Sequence, residues 1–191
     1  MGVDHGFLLS DRRFGGADVL ATSYTISQGL RAAGDFDLII CGKQTTDGDT
    51  AQVGSELAEF LDIPHVTSVC KVHGIDTDGI TVDLDLPLHI QTAKVKFPCL
   101  ITVEKGIFEP RLPSYKLKLA TADREIKVLT LDDLTDKDPA HYGLNGSPTQ
   151  VKRIFPPEHS NTREMWDGES DELSSRLFRF LNDNKYLQQL R

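Results

Sequence analysis

Apolar and polar residues follow two different rhythms along this chain. From Gly6 to about Val72, short apolar runs alternate with helical periodicity. Gly6-Phe7-Leu8-Leu9-Ser10 reads as a strand and Asp11 to Gly16 as a loop. Val19, Ser23, Ile26, Leu30 and Ala33 then recur at spacings of four and three, which predicts a helix stopped at Gly34. Phe36 to Cys41 predicts a buried strand, so residues 7–41 read as strand, helix, strand, the unit that joins parallel strands by a right-handed crossover. A second helix is expected from near Thr50 to about Asp62, with Val53, Leu57, Phe60 and Leu61 on one face and Pro64 blocking continuation. Val66 to Val72 follows as a strand buried on both faces.

After Val72 the rhythm changes. Ile80 to Leu84 and His89 to Val95 alternate with period two, and Asp78-Gly79 supplies a turn, so an antiparallel meander is expected. Lys96 to Val103 returns to a buried strand. Glu104 to Lys118 holds Gly106, Pro110 and Pro113 and predicts a long loop leading into a short helix. Beyond a strand at Ile126 to Leu131 the composition becomes polar and proline-rich through residue 157, as in an extended arm. A last helix, Asp171 to about Asn182, places Leu173, Leu177, Phe178 and Leu181 on one face. The reading divides the chain into an α/β domain, 1–131, and a C-terminal arm and helix, 132–191. The fold class is α/β with a doubly wound, mostly parallel sheet and an antiparallel hairpin.

Composition narrows the function. The 191 residues carry 29 acidic and 21 basic side chains, a formal net charge of −8 with no basic stripe, which argues against a nucleic-acid surface. No apolar run approaches the roughly 20 residues needed to span a bilayer. Cys41, Cys70 and Cys99 are odd in number and sit in strand-like runs, so free thiols in a reducing, cytoplasmic setting fit better than disulfides or a zinc site. The opening Met1 to Gly6 has neither the basic region nor the apolar core of a targeting peptide. The six histidines show no metal-ligand spacing.

The chemically suggestive stretch is GKQTTDGDTAQVG, Gly42 to Gly54. A strand that leaves through a glycine-containing loop into a helix start aims unpaired backbone N–H groups outward, the geometry that binds phosphate. Thr46 and Thr50 can add hydroxyl donors, and Gly48 lets the main chain approach an anion. Asp49 is expected to cap the helix with Gln52 three residues on. Asp47 and Asp49 are negative and must face amides, a ribose or a cation. Neither a P-loop nor a dinucleotide fingerprint is present. On spacing alone, phosphate binding and a plain capped helix with a polar connector stay equally open.

DLIICGKQTTDGDTAQVGSELAEFLDIP, Asp37 to Pro64, resembles the nucleotide-binding segment of the electron transfer flavoprotein beta subunit. VEKGIFEPRLPS, Val103 to Ser114, resembles that family's glutamate-proline-arginine segment, and YGLNGSPTQVKRIFPP, Tyr142 to Pro157, its C-terminal arm. The resemblance implies an adenine nucleotide alpha hydrolase-like fold and a heterodimer with an alpha subunit that carries the main flavin. It implies AMP or a second FAD at Gly42, Asp47, Gly48, Asp49, Thr50, Ala51, Gln52 and Val53, with Thr50 and Gln52 as main phosphate contacts. The loop Arg111-Leu112-Pro113-Ser114-Tyr115-Lys116 corresponds to the segment that docks on an acyl-CoA dehydrogenase or similar flavin dehydrogenase. The VEKG and PRLPS variants resemble anaerobic bacterial members, which favours FAD and NADH-driven bifurcation. Family chains begin with a strand and an adenine-enclosing loop that nothing here matches, so the chain reads as N-terminally truncated, with an unpaired sheet edge.

Other features have plainer readings. Glu104, Glu109 and Arg111 fit a surface ion pair or a flavin or partner contact. Asp76 to Gly79 fits a hairpin turn, since Pro87 stands where a calcium loop needs Glu. Ser147 and Thr149 lack a nucleophile elbow and fit turn-fixing or interface roles. Trp166 fits an interface anchor or burial under the last helix. With no acid–base or nucleophile constellation, the chain reads as an electron-transfer subunit rather than a stand-alone enzyme. The alternative is a free-standing ATP-binding or stress-type protein of the same fold. The arm discriminates: its apolar points, Ile154, Phe155 and Trp166, belong on a partner in the first case and on the chain's own core in the second.

Overall fold

The structure is a computed structural model that describes residues 1–156 and 163–187; Pro157 and His159 lie outside these. Its strands are β1 (Gly6–Leu9), β2 (Leu38–Gly42), β3 (His65–Ile75), β4 (Gly79–Leu86), β5 (His89–Lys96), β6 (Cys99–Val103) and β7 (Ile126–Leu129). Its α-helices are α1 (Val19–Ala33), α2 (Val53–Leu61), α3 (Tyr115–Ala120) and α4 (Ser170–Asp183). The class is mixed α/β.

Two sheets form instead of the single mostly parallel one expected. β1 pairs in parallel with β7, whereas the larger sheet runs β2-β6-β3-β4-β5. In it, β2, β6 and β3 are parallel, and β3, β4 and β5 form the expected antiparallel meander. β1 and β2 are therefore not partners across a crossover. Each is an edge strand of its own sheet, and α1 bridges the sheets rather than two strands of one. β3 also departs from expectation. It runs three residues past Val72, to Ile75, and only Val69 in it is fully buried, while His73, Gly74 and Ile75 at its outer end are exposed.

Helix packing explains why small residues interrupt the apolar stripe of α1. Its buried residues are Ala21, Ser23, Thr25, Ser27, Gln28 and Gly29, spread over more than one face, while Ile26 and Leu30 are only half-buried. A Cβ on Gly29 would come within 2.6 Å of Leu9 Cδ1, so α1 lies almost against β1. Ser23 Oγ sits 3.1 Å from Glu56 Oε2, tying α1 to α2. On the other side of α2, a Cβ on Gly54 would meet Thr102 Cγ2 at 2.4 Å, so α2 rests close on β6. Leu57, Ala58 and Leu100 fill this layer, and a separate cluster of Val69, Ile80, Val82, Val95, Cys99 and Ile101 fills the core of the larger sheet.

The chain divides into two compact units, Met1–Val151 and Lys152–Arg191. The first unit thus runs about twenty residues past the expected boundary after residue 131, because residues 132–151 supply core: Leu134 and Tyr142 are fully buried with Leu131 against Leu9, Phe14 and Tyr24. Polar contacts reinforce this clasp. Tyr24 donates its hydroxyl to Asp136 Oδ2 at 2.6 Å, His141 Nδ1 meets the same oxygen at 2.5 Å, and Tyr142 donates to the Asp136 carbonyl at 2.6 Å. Nearby, Asp11 receives Arg13 at 2.6 Å and the Leu131 amide at 3.1 Å, which holds its carboxyl well below the usual range.

The second unit is small. α4 buries no residue completely, and Leu177 and Phe178 stay exposed on its apolar stripe. Trp166 packs edge-on to Phe180 at 5.7 Å, with the Arg176 guanidinium 4.6 Å over its ring. Among the described residues no helix is long and apolar enough to cross a membrane.

Candidate functional site

The loop Gly42 to Val53 leaves the carboxyl end of β2 beside β6. Parallel pairing sets Gly42 opposite Val103, and one further rung, Lys43 N–H to Val103 O at 3.1 Å, carries the ladder past the strand end. Residues 44–52 are exposed throughout. A cavity of about 600 Å³ opens here, bounded by Lys43, Thr45, Thr46 and Asp49 on one side and by Glu104 and Lys105, just past β6, on the other.

Local hydrogen bonds shape the loop. Gly48 donates its N–H to Asp47 Oδ1 at 2.9 Å and to Thr45 Oγ1 at 3.2 Å. The Thr45 hydroxyl and these amides hold the Asp47 carboxyl below its ordinary value, so its charge is satisfied within the turn. Asp49 and Ala51 adopt left-handed backbone, φ 51° and 55°, a conformation that costs a non-glycine residue of order 1 kcal/mol.

One expectation is corrected. Asp49 does not cap α2: the helix begins at Val53 rather than near Thr50, and Asp49 instead accepts a hydrogen bond from Gln44 Nε2. The left-handed turns at Asp49 and Ala51 swing its carboxylate off the helix axis. Gln52 becomes the N-cap in helical conformation and makes no side-chain cap bond. The first intrahelical bond runs from Glu56 N–H to Gln52 O at 3.0 Å, so the amides ahead of it point out of the helix end without an intrahelical acceptor. The partial positive charge of the helix start therefore faces outward, uncancelled by a capping carboxylate.

Of the residues read from sequence, Gly42 and Asp49 border the cavity; Asp47, Gly48, Thr50, Ala51, Gln52 and Val53 belong to the same loop but lie outside its immediate lining. Lys43 was not singled out. Its Nζ forms an ion pair with Glu104 Oε1 at 2.6 Å, and this hydrogen bond, with a weaker pull from Asp85, raises the lysine above its ordinary value. The signal was present in the pattern, since each residue immediately follows one of two parallel runs, but it becomes visible only once their register is known.

The second predicted group, Arg111 to Lys116, forms an exposed segment ending in α3. Leu112 is 89% and Tyr115 76% exposed, and Ser114 caps α3 by accepting from Leu117 N–H. Ser147 and Thr149 fix a turn: Ser147 Oγ accepts from Asp18 N–H at 2.8 Å and donates to Gly143 O, and Thr149 donates to Asp18 Oδ2 at 2.7 Å. Asp76 likewise serves the β3–β4 turn, accepting from the amides of Asp78 and Gly79.

Residues 1–134 match the family described as electron transfer flavoprotein domain. The chain is 40% identical over 187 residues to the electron transfer flavoprotein subunit beta of Clostridium acetobutylicum, covering 98% of this chain and 71% of that protein. It is 41% identical over 183 residues to the protein of the same name from Thermoanaerobacterium thermosaccharolyticum, covering 95% and 69%. To the caffeyl-CoA reductase-Etf complex subunit CarD of Acetobacterium woodii it is 39% identical over 168 residues, covering 88% and 63%. The chain thus spans between 63% and 71% of the length of these relatives.

Proposed function

This chain belongs to the electron transfer flavoprotein beta-subunit family, and on that premise we propose that it holds an adenine nucleotide at the Gly42–Val53 loop and serves electron transfer in a heterodimer with an alpha subunit. The observation that carries the reading is the bare start of α2, opening beside a cavity at the carboxyl ends of two parallel strands. In open α/β sheets nucleotides bind at that end. The finer fold assignment, an adenine nucleotide alpha hydrolase-like domain, is part of the same reading.

The residues present fit a nucleotide phosphate. Amides of the first turn of α2 provide aligned donors, Thr46 and Thr50 in the preceding loop are exposed, and Lys43 at the cavity adds a cation. Asp47 and Asp49 are turned to Gly48, Thr45 and Gln44, which reduces their repulsion of an anion. The nucleotide is AMP or FAD, with FAD favoured. A flavin, when bound, carries the electrons, and the alpha subunit holds the main one. This chain's residues position and enclose; none acts as acid, base or nucleophile.

Docking falls to Arg111 to Lys116, where exposed Leu112 and Tyr115 among basic side chains offer apolar anchors to a flavin dehydrogenase. In the arm, Ile154 is 89% and Phe155 67% exposed, which supports their covering by the alpha subunit over a free-standing ATP-binding protein. A cytoplasmic setting fits the three free thiols.

Nucleotide extraction from the chain co-purified with its alpha subunit tests this. Two flavins per heterodimer support FAD here and a bifurcating complex; one flavin plus AMP supports a simple carrier. A monomer that hydrolyses ATP and carries no nucleotide-bearing partner overturns the reading.

A further inference from the structure

Lys43 and Glu104 stand opposite each other because their strands are locked in register. Gly42 pairs with Val103, the Lys43 amide donates to the Val103 carbonyl, and the Glu104 amide donates to the Val69 carbonyl at 2.9 Å. Three parallel strands thus fix the two backbones, while the side chains reach across the mouth of the nucleotide cavity and meet at 2.6 Å. The lysine is 38% and the glutamate 22% exposed, so the pair is half open to solvent and to anything entering the cavity. Glu104 engages through one oxygen, and an ammonium has three donors.

We propose that Glu104 is an internal competitor for the nucleotide phosphate: it occupies Lys43 in the empty site, and an entering phosphate takes Lys43 from it. The inference rests on the nucleotide reading above and deepens it by naming the groups that set affinity. Half-exposed ion pairs contribute little net free energy, so this one is readily exchanged for the stronger charge-assisted bond between an ammonium and phosphate. The displaced carboxylate remains at the edge of a cavity that Lys105 also lines, where solvent receives it. The pair keeps the empty site from presenting a bare cation to unrelated anions, at a cost in nucleotide affinity.

Calorimetric titration of AMP and of adenosine tests this, with the full chain purified together with its alpha subunit and any co-purified nucleotide removed. Replacing Glu104 by glutamine (Glu104→Gln) should lower the AMP Kd about three- to tenfold and steepen its salt dependence, while leaving adenosine unchanged. Lys43→Gln should raise the AMP Kd about tenfold, and the double variant should match Lys43→Gln alone, because Glu104 acts through the lysine. Unchanged or weaker AMP binding in Glu104→Gln, or its full effect persisting in the Lys43→Gln background, would overturn the proposal. The two levels separate cleanly. If Thr50→Val weakens AMP while Glu104→Gln does nothing, only the competitor role fails; if the unaltered protein binds AMP no tighter than adenosine, the phosphate site fails with it.

Discussion

At the start of α1, Asp18 closes the helix from both sides: its Oδ1 accepts from Ala21 N–H at 3.1 Å, its Oδ2 from the Thr149 amide and hydroxyl, and its own amide donates to Ser147. At the start of α2, the nearest aspartate has been turned away by two left-handed residues, and Gln52 offers no side-chain acceptor. Both helices follow loops rich in glycine and aspartate, so composition does not separate them. What separates them is whether a later segment folds back. Residues 143–149 return to seal α1, whereas no such segment lies over α2 among the described residues. A sealed helix start is architecture; a bare one beside a cavity is available to a ligand.

Five substitutions sharpen or break this contrast. The largest effect is expected from Gly54→Val, which forces a side chain into Thr102 and lifts α2 from β6; urea denaturation should show a loss of about 3 kcal/mol together with loss of AMP binding. Next, Asp18→Ala should cost about 2 kcal/mol and leave AMP affinity unchanged, while Asp49→Ala should shift stability by less than about 0.5 kcal/mol. Third, Gln52→Asp places a carboxylate at the bare helix end and should weaken AMP about tenfold, a loss adenosine would not share. The smallest effect is expected at Ala51, where glycine accepts the positive φ and should raise stability by about 0.5 kcal/mol.

A pH profile probes the clasp behind the sealed helix. The Tyr24 hydroxyl, chiefly, holds Asp136 down at about 2 from an ordinary 3.8, so its contribution is complete above that ordinary value and is lost as pH falls through about 2. Asp136 in turn raises His141 above its ordinary 6.5, so that contribution is complete below 6.5 and fades as pH climbs through the raised value. Urea midpoints should therefore be highest between about pH 4 and 6.5, and Asp136→Asn should flatten both slopes.

The local rhythm of the chain made most elements legible. Period-two alternation from Ile80 to Val95 marked the meander, and spacings of three and four marked α1 and α4, whose bounds fall within about a residue of expectation. Long-range pairing was hidden, since nothing in Gly6 to Leu9 states that its partner is Ile126 to Leu129, more than a hundred residues away. The polar composition of residues 132–149 concealed a core role, because Leu134 and Tyr142 are too few to register as a pattern yet are fully buried. In the Gly42–Val53 loop the residue types suggested phosphate binding. The cap failed because Asp49 competes between the helix amides and Gln44, and backbone angles, invisible to composition, decide the contest.

The rung between the Lys43 amide and the Val103 carbonyl has one more consequence. It makes the root of the Gly42–Val53 loop and the root of the long segment toward Tyr115 a single stiff seam, so neither can tilt without dragging its neighbour. A spin label near residue 108, beyond the end of β6, should therefore lose mobility when AMP is added.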